Sequence, residues 1–389
     1  MIKKFDRIII LIMDSVGCGY QKDYKKFQNK KSNTLKSIYN SNKNFNLPNL
    51  EKLGLNKILF NSSLRGRAVA GKMQEKTLGN DTFAGVWEML GVIFTERFRS
   101  DKTGFSKKTI RKIEKYLGIK MLCNQYISGF EALENFFDLH IKYSSPILYL
   151  ADDGVVLLAA HEKIISPIVL NKIAEKMVDI LRDQNISRII TRPFLGNKGN
   201  LQRTDNRKDF IITKNIFDDS ILSRLYNNNI KLLTSEHIFH LLGSHSFVDC
   251  VTGNFNNNKL IEVIIDKIKS KKQEGLLIFC LQDFDMLGHK KDIRNYSIKL
   301  QEFDSQIPDI LKELRQDDLL IITADHGCDP ALDIRGHTRE YVPLLIFNKK
   351  NRKKIWLGTR DTFADIAQTI CYNYSLPLLN RGKPIYEIF

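Results

Sequence analysis

At 389 residues the chain can bury one large core or two of moderate size, and two domains is the better expectation. Hydrophobic residues at 43% and aromatics at 10% exclude an intrinsically disordered chain. The formal charge is +16, from 60 Lys and Arg against 44 Asp and Glu. These bases are scattered through Lys-, Asn- and Ile-rich sequence with no long basic block, so nucleic acid is not an expected partner, and the positive field suits anionic substrates instead.

In chain order, the first strong element is an Ile-rich strand, Arg7–Met13, which ends at Asp14. It is too short for a signal sequence, and no apolar run approaches membrane-spanning length, so a cytoplasmic protein without membrane contact is expected. From residue 98 to 214 the character changes. A basic helix, Ser106–Leu117, strands at Pro146–Ala151 and Arg188–Thr191, and a Gly/Asn/Arg-rich loop, Gly196–Asp209, read as an inserted α+β cap domain. Residues 1–97 and 215–389 then form the core. After the insert, Asn254–Lys259 reads as a surface loop. Helices at Lys259–Lys272, Ile293–Leu314 and Thr362–Tyr374 alternate with buried strands at Leu276–Leu281, Leu319–Thr323 and Pro343–Phe347. That alternation predicts an α/β fold whose central sheet is mostly parallel and flanked by helices. Six cysteines lie far apart without a C-x-x-C pair, as expected of reduced thiols in a reducing compartment.

Ligands of such folds gather outside the carboxyl ends of the strands, and four segments bring chemistry there. Asp14 follows the first strand. Asp283-Phe284-Asp285-Met286-Leu287-Gly288-His289 follows another, and Thr323-Ala324-Asp325-His326-Gly327 a third, with His337 returning from the next loop. An Asp after one strand is ordinarily a turn or a helix cap. Three such segments together are not explained that way. Asp14, Asp285, His289, Asp325, His326 and His337 supply six ligands, three for each of two ions, and a mixed carboxylate–imidazole set favours Mn²⁺, Zn²⁺ or Fe over Ca²⁺. The expected division places Asp325 and His326 on the ion beside Thr82, and His337 with Asp285 and His289 on the other. Two ions close together suit in-line phosphoryl transfer. The fourth segment, Asn80-Asp81-Thr82, offers a hydroxyl that metal coordination could activate, although Asn-Asp-Thr by itself equally reads as a helix N-cap.

These segments, with Gly71-Lys72-Met73-Gln74-Glu75-Lys76, Trp87-Glu88-Met89-Leu90-Gly91 and His337-Thr338-Arg339-Glu340-Tyr341, closely resemble the bacterial phosphopentomutase family of the alkaline phosphatase superfamily, in order and over nearly the whole chain. The resemblance implies an alkaline-phosphatase-like core and interconversion of (deoxy)ribose 1-phosphate and (deoxy)ribose 5-phosphate. It further implies two Mn²⁺ ions, a phosphothreonine at Thr82, and a sugar bisphosphate activator such as ribose 1,5-bisphosphate or glucose 1,6-bisphosphate. Asp153 and Val155 resemble the family's ribose-contacting strand, and Arg192 and Arg207 its arginines for the phosphate remote from the metals. The implied partner is a small phosphopentose, and a monomer or weak oligomer is expected. A metal-dependent phosphatase or another phosphosugar mutase of the superfamily is the alternative, and a basic RNA-binding protein on a degenerate scaffold ranks below both.

The chain departs from the family pattern in places. Asp285 and His289 are one residue closer than usual, Val86 stands for His, Asn80 for Lys and Ala151 for Ser, and a Gly-Lys-Ile segment near Leu233–Ser235 is missing. His237 and His240 are expected on the polar face of a helix, and Cys328 is expected to fill space beside the site.

Overall fold

The structure is a computed structural model that describes residues 4–27, 29–66, 68–99, 102–213, 215–270, 273–334 and 336–389. The chain divides into two compact units, one of residues 1–95, 216–239 and 246–389, the other of residues 96–215 and 240–245. The short 240–245 stretch, which the sequence reading leaves in the core, belongs to the second unit. Lys214, the expected end of the insert, and Lys271 and Lys272, the end of the expected 259–272 helix, lie outside the described residues.

The first unit is built on eight strands: β1 Arg7–Met13, β2 Val69–Met73, β9 Leu232–Ser235, β10 Val248–Val251, β11 Gly275–Leu281, β12 Asp318–Thr323, β13 Val342–Phe347 and β14 Ile355–Arg360. Their order across the sheet is β10-β9-β11-β1-β12-β13-β2-β14. All pairings are parallel except the two made by β13, whose antiparallel run the buried apolar sequence did not reveal. Every residue of β1, β11 and β12 is buried, which is why these strands read as unbroken Ile/Leu runs rather than alternating ones. The polar exceptions are paired. Arg7 at the start of β1 donates from Nε and Nη2 to the Asp318 carboxylate of β12, at 2.9 and 2.5 Å, with both side chains fully buried. The pair fixes one end of the register, and Ile12 opposite Thr323 carries it to the other. Asp14 and Asp325, each two residues further on, therefore leave the sheet side by side.

The second unit has six strands: β3 Leu122–Tyr126, β4 Ile147–Ala151, β5 Val155–His161, β6 Arg188–Asn197, β7 Asn200–Arg203 and β8 Lys208–Ile211. Alternate residues of β4 and β5 face two separate cores. Leu148, Leu150, Val156 and Leu158 pack with the Lys107–Leu117 and Pro167–Leu181 helices, while Ile147, Tyr149, Leu157 and Ala159 pack with the Gly129–Tyr143 helix. The expected Gly196–Asp209 loop is corrected here: the end of β6, all of β7 and the start of β8 form a hairpin and a further antiparallel pairing. The expected loop at Asn254–Lys259 likewise gives way to a helix from Asn257, capped by Asn256, whose side chain accepts from Lys259 N.

Candidate metal centre

Thr82 opens an eight-residue helix, Thr82–Met89, whose N-cap is Asp81, with its side chain accepting from Ala84 N at 3.0 Å. Asp81 thus makes the cap that Asn80-Asp81-Thr82 suggested, and Thr82 stands at the positive end of the helix. A Cβ on Gly85 would lie 2.4 Å from the Asp325 carbonyl oxygen, so glycine there is what lets the helix approach the end of β12. Thr82 Oγ1 comes to 3.3 Å from Asp14 Oδ1 and 3.2 Å from His326 Nε2.

Around that hydroxyl the first cluster is Asp14, Asp325 and His326, all buried, with one ligand atom of each within 4.8 Å of the others. Asp325 is held by two backbone donors to its Oδ1, Ser15 N at 3.0 Å and His326 N at 3.1 Å. Its Oδ2 is buried without a hydrogen-bond partner, 3.5 Å from His326 Nε2. His326 donates from Nδ1 to the Gly327 carbonyl at 3.2 Å, which leaves the Nε2 lone pair facing the carboxylates. Burial, and then His337 beside it, push the His326 imidazole down to about 3, so it is neutral and fit to coordinate.

The second cluster rests on a short helix, Asp283–His289. The four-residue spacing of Asp285 and His289 is one helical turn, so both project from one face, with His289 Nε2 3.5 Å from Asp285 Oδ2. His337 Nε2 approaches His289 Nε2 to 3.0 Å and Asp285 Oδ1 to 3.6 Å. Ligand atoms of Asp285, His326 and His337 also lie within 4.8 Å of one another, and the His326 and His337 rings lie 4.2 Å apart, so the two clusters adjoin. The loop bearing His337 is pinned by Asn80, whose Nδ2 donates to the His337 carbonyl at 3.1 Å, and by the buried Arg339, which donates to Glu75 Oε2 at 2.5 Å and to the Gly79 carbonyl at 2.7 Å.

A divalent ion fits these residues. Asp325 Oδ2 and Asp285 Oδ1 are buried oxygens lacking a hydrogen-bond partner, and the donor set is carboxylate and imidazole. Asp14 reports the same charge imbalance. Burial first, then the Asp325 and Asp285 carboxylates, raise its carboxyl well above the usual range. The proton is thus retained to higher pH than in a free carboxyl, and a cation taking Asp14 as a ligand would have to displace it. Apparent affinity for a divalent ion is expected to rise with pH, with proton release read by titration calorimetry in buffers of different ionisation enthalpy. An affinity that does not change with pH would count against this.

In the second unit, Thr191 pairs with Lys208, which sets Arg192 opposite Arg207. Arg207 is already committed to Asp209, donating from Nε and Nη2 at 2.7 and 2.8 Å. Arg192 Nε is buried without a partner, and burial followed by the nearby Arg207 and Arg203 lowers its pKa to about 10. Arg203 is a third cation that the sequence reading did not select. Asp153, at φ 58° in the β4–β5 turn, and Val155 stand elsewhere. Val155 pairs with Arg188, four residues before Arg192, a separation of about 13 Å along the strands.

Tyr296 and Cys280, which the sequence reading did not select, adjoin the site. Tyr296 Oη donates to the Ser15 carbonyl at 3.3 Å, and Cys280 Sγ to Asp14 Oδ2 at 3.2 Å. Cys328, expected only to fill space, falls within 4.8 Å of ligand atoms of Asp285 and His289. Cys280 carries no sequence signal, since it lies within an apolar strand, whereas Cys328 follows the Asp325-His326 pair by two residues and could be read from the sequence as a soft ligand.

A chain with adjoining carboxylate–imidazole clusters at the carboxyl ends of a mostly parallel sheet is metalloenzyme-like, and residues 6–378 match the metalloenzyme superfamily. Within that class the chain belongs to the phosphopentomutase family. It is 39% identical over 375 residues to the phosphopentomutase of Acetivibrio thermocellus, covering 94% of this chain and 95% of that protein. It is 37% identical over 383 residues to that of Caldanaerobacter subterraneus subsp. tengcongensis, covering 97% and 96% respectively. The phosphopentomutase of Alkaliphilus oremlandii is 37% identical over 390 residues, covering 97% of each chain.

Proposed function

We propose that this enzyme interconverts (deoxy)ribose 1-phosphate and (deoxy)ribose 5-phosphate through a phosphothreonine at Thr82 and a sugar bisphosphate. The observation that carries the reading is the Thr82 hydroxyl, set at a helix N-terminus within hydrogen-bonding reach of Asp14 and His326. Asp14, Asp325 and His326 would hold one divalent ion and Asp285, His289 and His337 the other, with Mn²⁺ as the ion pair. Bound there, the ions supply Lewis-acid stabilisation of charge on the transferring group.

Phospho-Thr82 gives its phosphoryl group to the free sugar hydroxyl. The Thr82 Oγ1–P bond breaks, a sugar O–P bond forms, and the hydroxyl proton leaves to solvent or a nearby base. The bisphosphate turns over and returns its other phosphoryl group to Thr82, so the chain ends as it began. Peptide N–H groups at the start of the Thr82–Met89 helix receive the phosphothreonine anion. Arg192 and Arg207 grip the phosphate that is not in transfer, because a planar guanidinium matches phosphate oxygens, and Asp153 and Val155 contact the sugar. A sugar bisphosphate primes Thr82. The protein acts in the cytoplasm as a monomer or weak oligomer. No helix among the described residues is long and apolar enough to cross a membrane.

Phosphorus NMR of ribose 1-phosphate incubated with Mn²⁺-loaded protein tests the reading. Ribose 5-phosphate is the expected product, and accumulation of inorganic phosphate alone would refute it in favour of a phosphatase. Arg207→Ala is expected to weaken both pentose phosphate turnover and Thr82 phosphorylation by a bisphosphate by about tenfold or more, since each step leaves one phosphate out of transfer, while metal content is unchanged. Unchanged use of both would remove Arg207 from phosphate recognition.

A further inference from the structure

Only one oxygen of Asp14 faces Thr82. The other, Oδ2, accepts from Cys280 Sγ at 3.2 Å, and His237 completes a group in which one ligand atom from each residue lies within 4.8 Å of the others. Three elements build it. Ile12 pairs with Cys280 across β1 and β11, so Asp14, two residues beyond Ile12, leaves on the same sheet face as Cys280. β9 lies beside β11, and the Glu236–Leu241 helix that follows it directly carries His237. Asp14 is 2% exposed and Cys280 1%. Thr234 of β9 pairs with Ile278, which puts it on the face shared by Cys280, and its fully buried hydroxyl has no hydrogen-bond partner. The other oxygen–nitrogen–sulfur group, Asp285, His289 and Cys328, takes two of its three donors from the second cluster and is a variant of that site.

We propose that Asp14 Oδ2, Cys280 Sγ and a ring nitrogen of His237 form a further cation site behind the phosphoryl-transfer centre, selective for a thiophilic divalent ion of the zinc class. Carboxylate, imidazole and thiolate together favour zinc over manganese, whereas the clusters facing Thr82 hold no sulfur in their expected ligand sets. Binding forms a sulfur–metal bond and releases the thiol proton to solvent. Asp14 would then serve as a ligand at both sites, and a cation held behind it would keep Oδ1 aimed at Thr82. The shared role rests on the reading of Asp14 as a ligand of the front ion; the thiolate site does not.

Full-length protein preloaded with Mn²⁺ is titrated with Co²⁺, a spectroscopic stand-in for zinc. A near-ultraviolet sulfur-to-cobalt charge-transfer band is expected, saturating at one equivalent without loss of bound Mn²⁺. Cys280→Ser and Cys280→Ala should both abolish the band, with circular dichroism verifying the fold. His237→Gln should weaken cobalt binding by about tenfold or more, and Cys328→Ser should leave the band in place. No band in the unmodified protein, or a band that survives both Cys280 variants, overturns the site. A Cys280-dependent band in protein that cannot load Mn²⁺ upholds it and removes the front-ion reading instead.

Discussion

Thr82→Ala is expected to lower mutase turnover by about three orders of magnitude or more while leaving divalent metal content unchanged, because loss of a nucleophile removes most of an enzyme's rate enhancement. The two effects separate because the hydroxyl and the metal donors sit on different elements. Asp14, Asp325 and His326 follow β1 and β12, whereas Thr82 is the first residue of a helix. Alanine is tolerated at that position, and Asp81 still caps the helix through Ala84 N. Thr82→Ser keeps a hydroxyl and should retain part of the rate. Direct assay of ribose 5-phosphate formation, with metal counted on the same samples, checks both variants. Full activity in the alanine variant would require another nucleophile. A parallel loss of metal would make Thr82 chiefly a ligand.

Much of the core was legible because its central strands are buried on both faces, so β1, β11 and β12 appear as continuous apolar runs with a chemical group just past each end. The proximity of Asp14 and Asp325 follows from parallel pairing alone. The close spacing of Asp285 and His289, a departure from the family pattern, becomes intelligible as one turn of a helix. The second unit's edge was not legible. β7 has the burial of a surface hairpin and carries Asn, Gln and Arg, so no alternation of apolar and polar residues announced a strand. Cys280 was hidden for the opposite reason, since a thiol inside an apolar run looks like packing until its partner, 266 residues away, is known.

Glu88 lies on the helix that Thr82 opens, and its replacement is expected to reach the chemistry from a distance. It is fully buried and its carboxylate has donors on two sides. Thr77 N donates to Oε2 at 2.6 Å, and Lys76 N reaches both oxygens at 2.9 Å. Thr362 Oγ1 at 2.6 Å and Phe363 N at 3.0 Å donate to Oε1. One residue therefore ties the Thr82–Met89 helix to the segment after β2 and to the start of the Ala364–Asn373 helix. Glu88→Gln places an amide donor against one of those pairs of donors, whichever way it turns. A cost of roughly 3–5 kcal/mol is expected, read as a fall in the urea midpoint with an unchanged slope. Thr82 and Glu88 share a rigid helix, so a displacement at one is felt at the other. A shift of about 1 Å at a reacting group can cost about a hundredfold in rate. Turnover should therefore drop by about that factor in folded Glu88→Gln protein, while metal content holds, since none of the six proposed ligands lies on this helix. Unchanged stability and unchanged turnover in this variant would show that the buried carboxylate does not position Thr82.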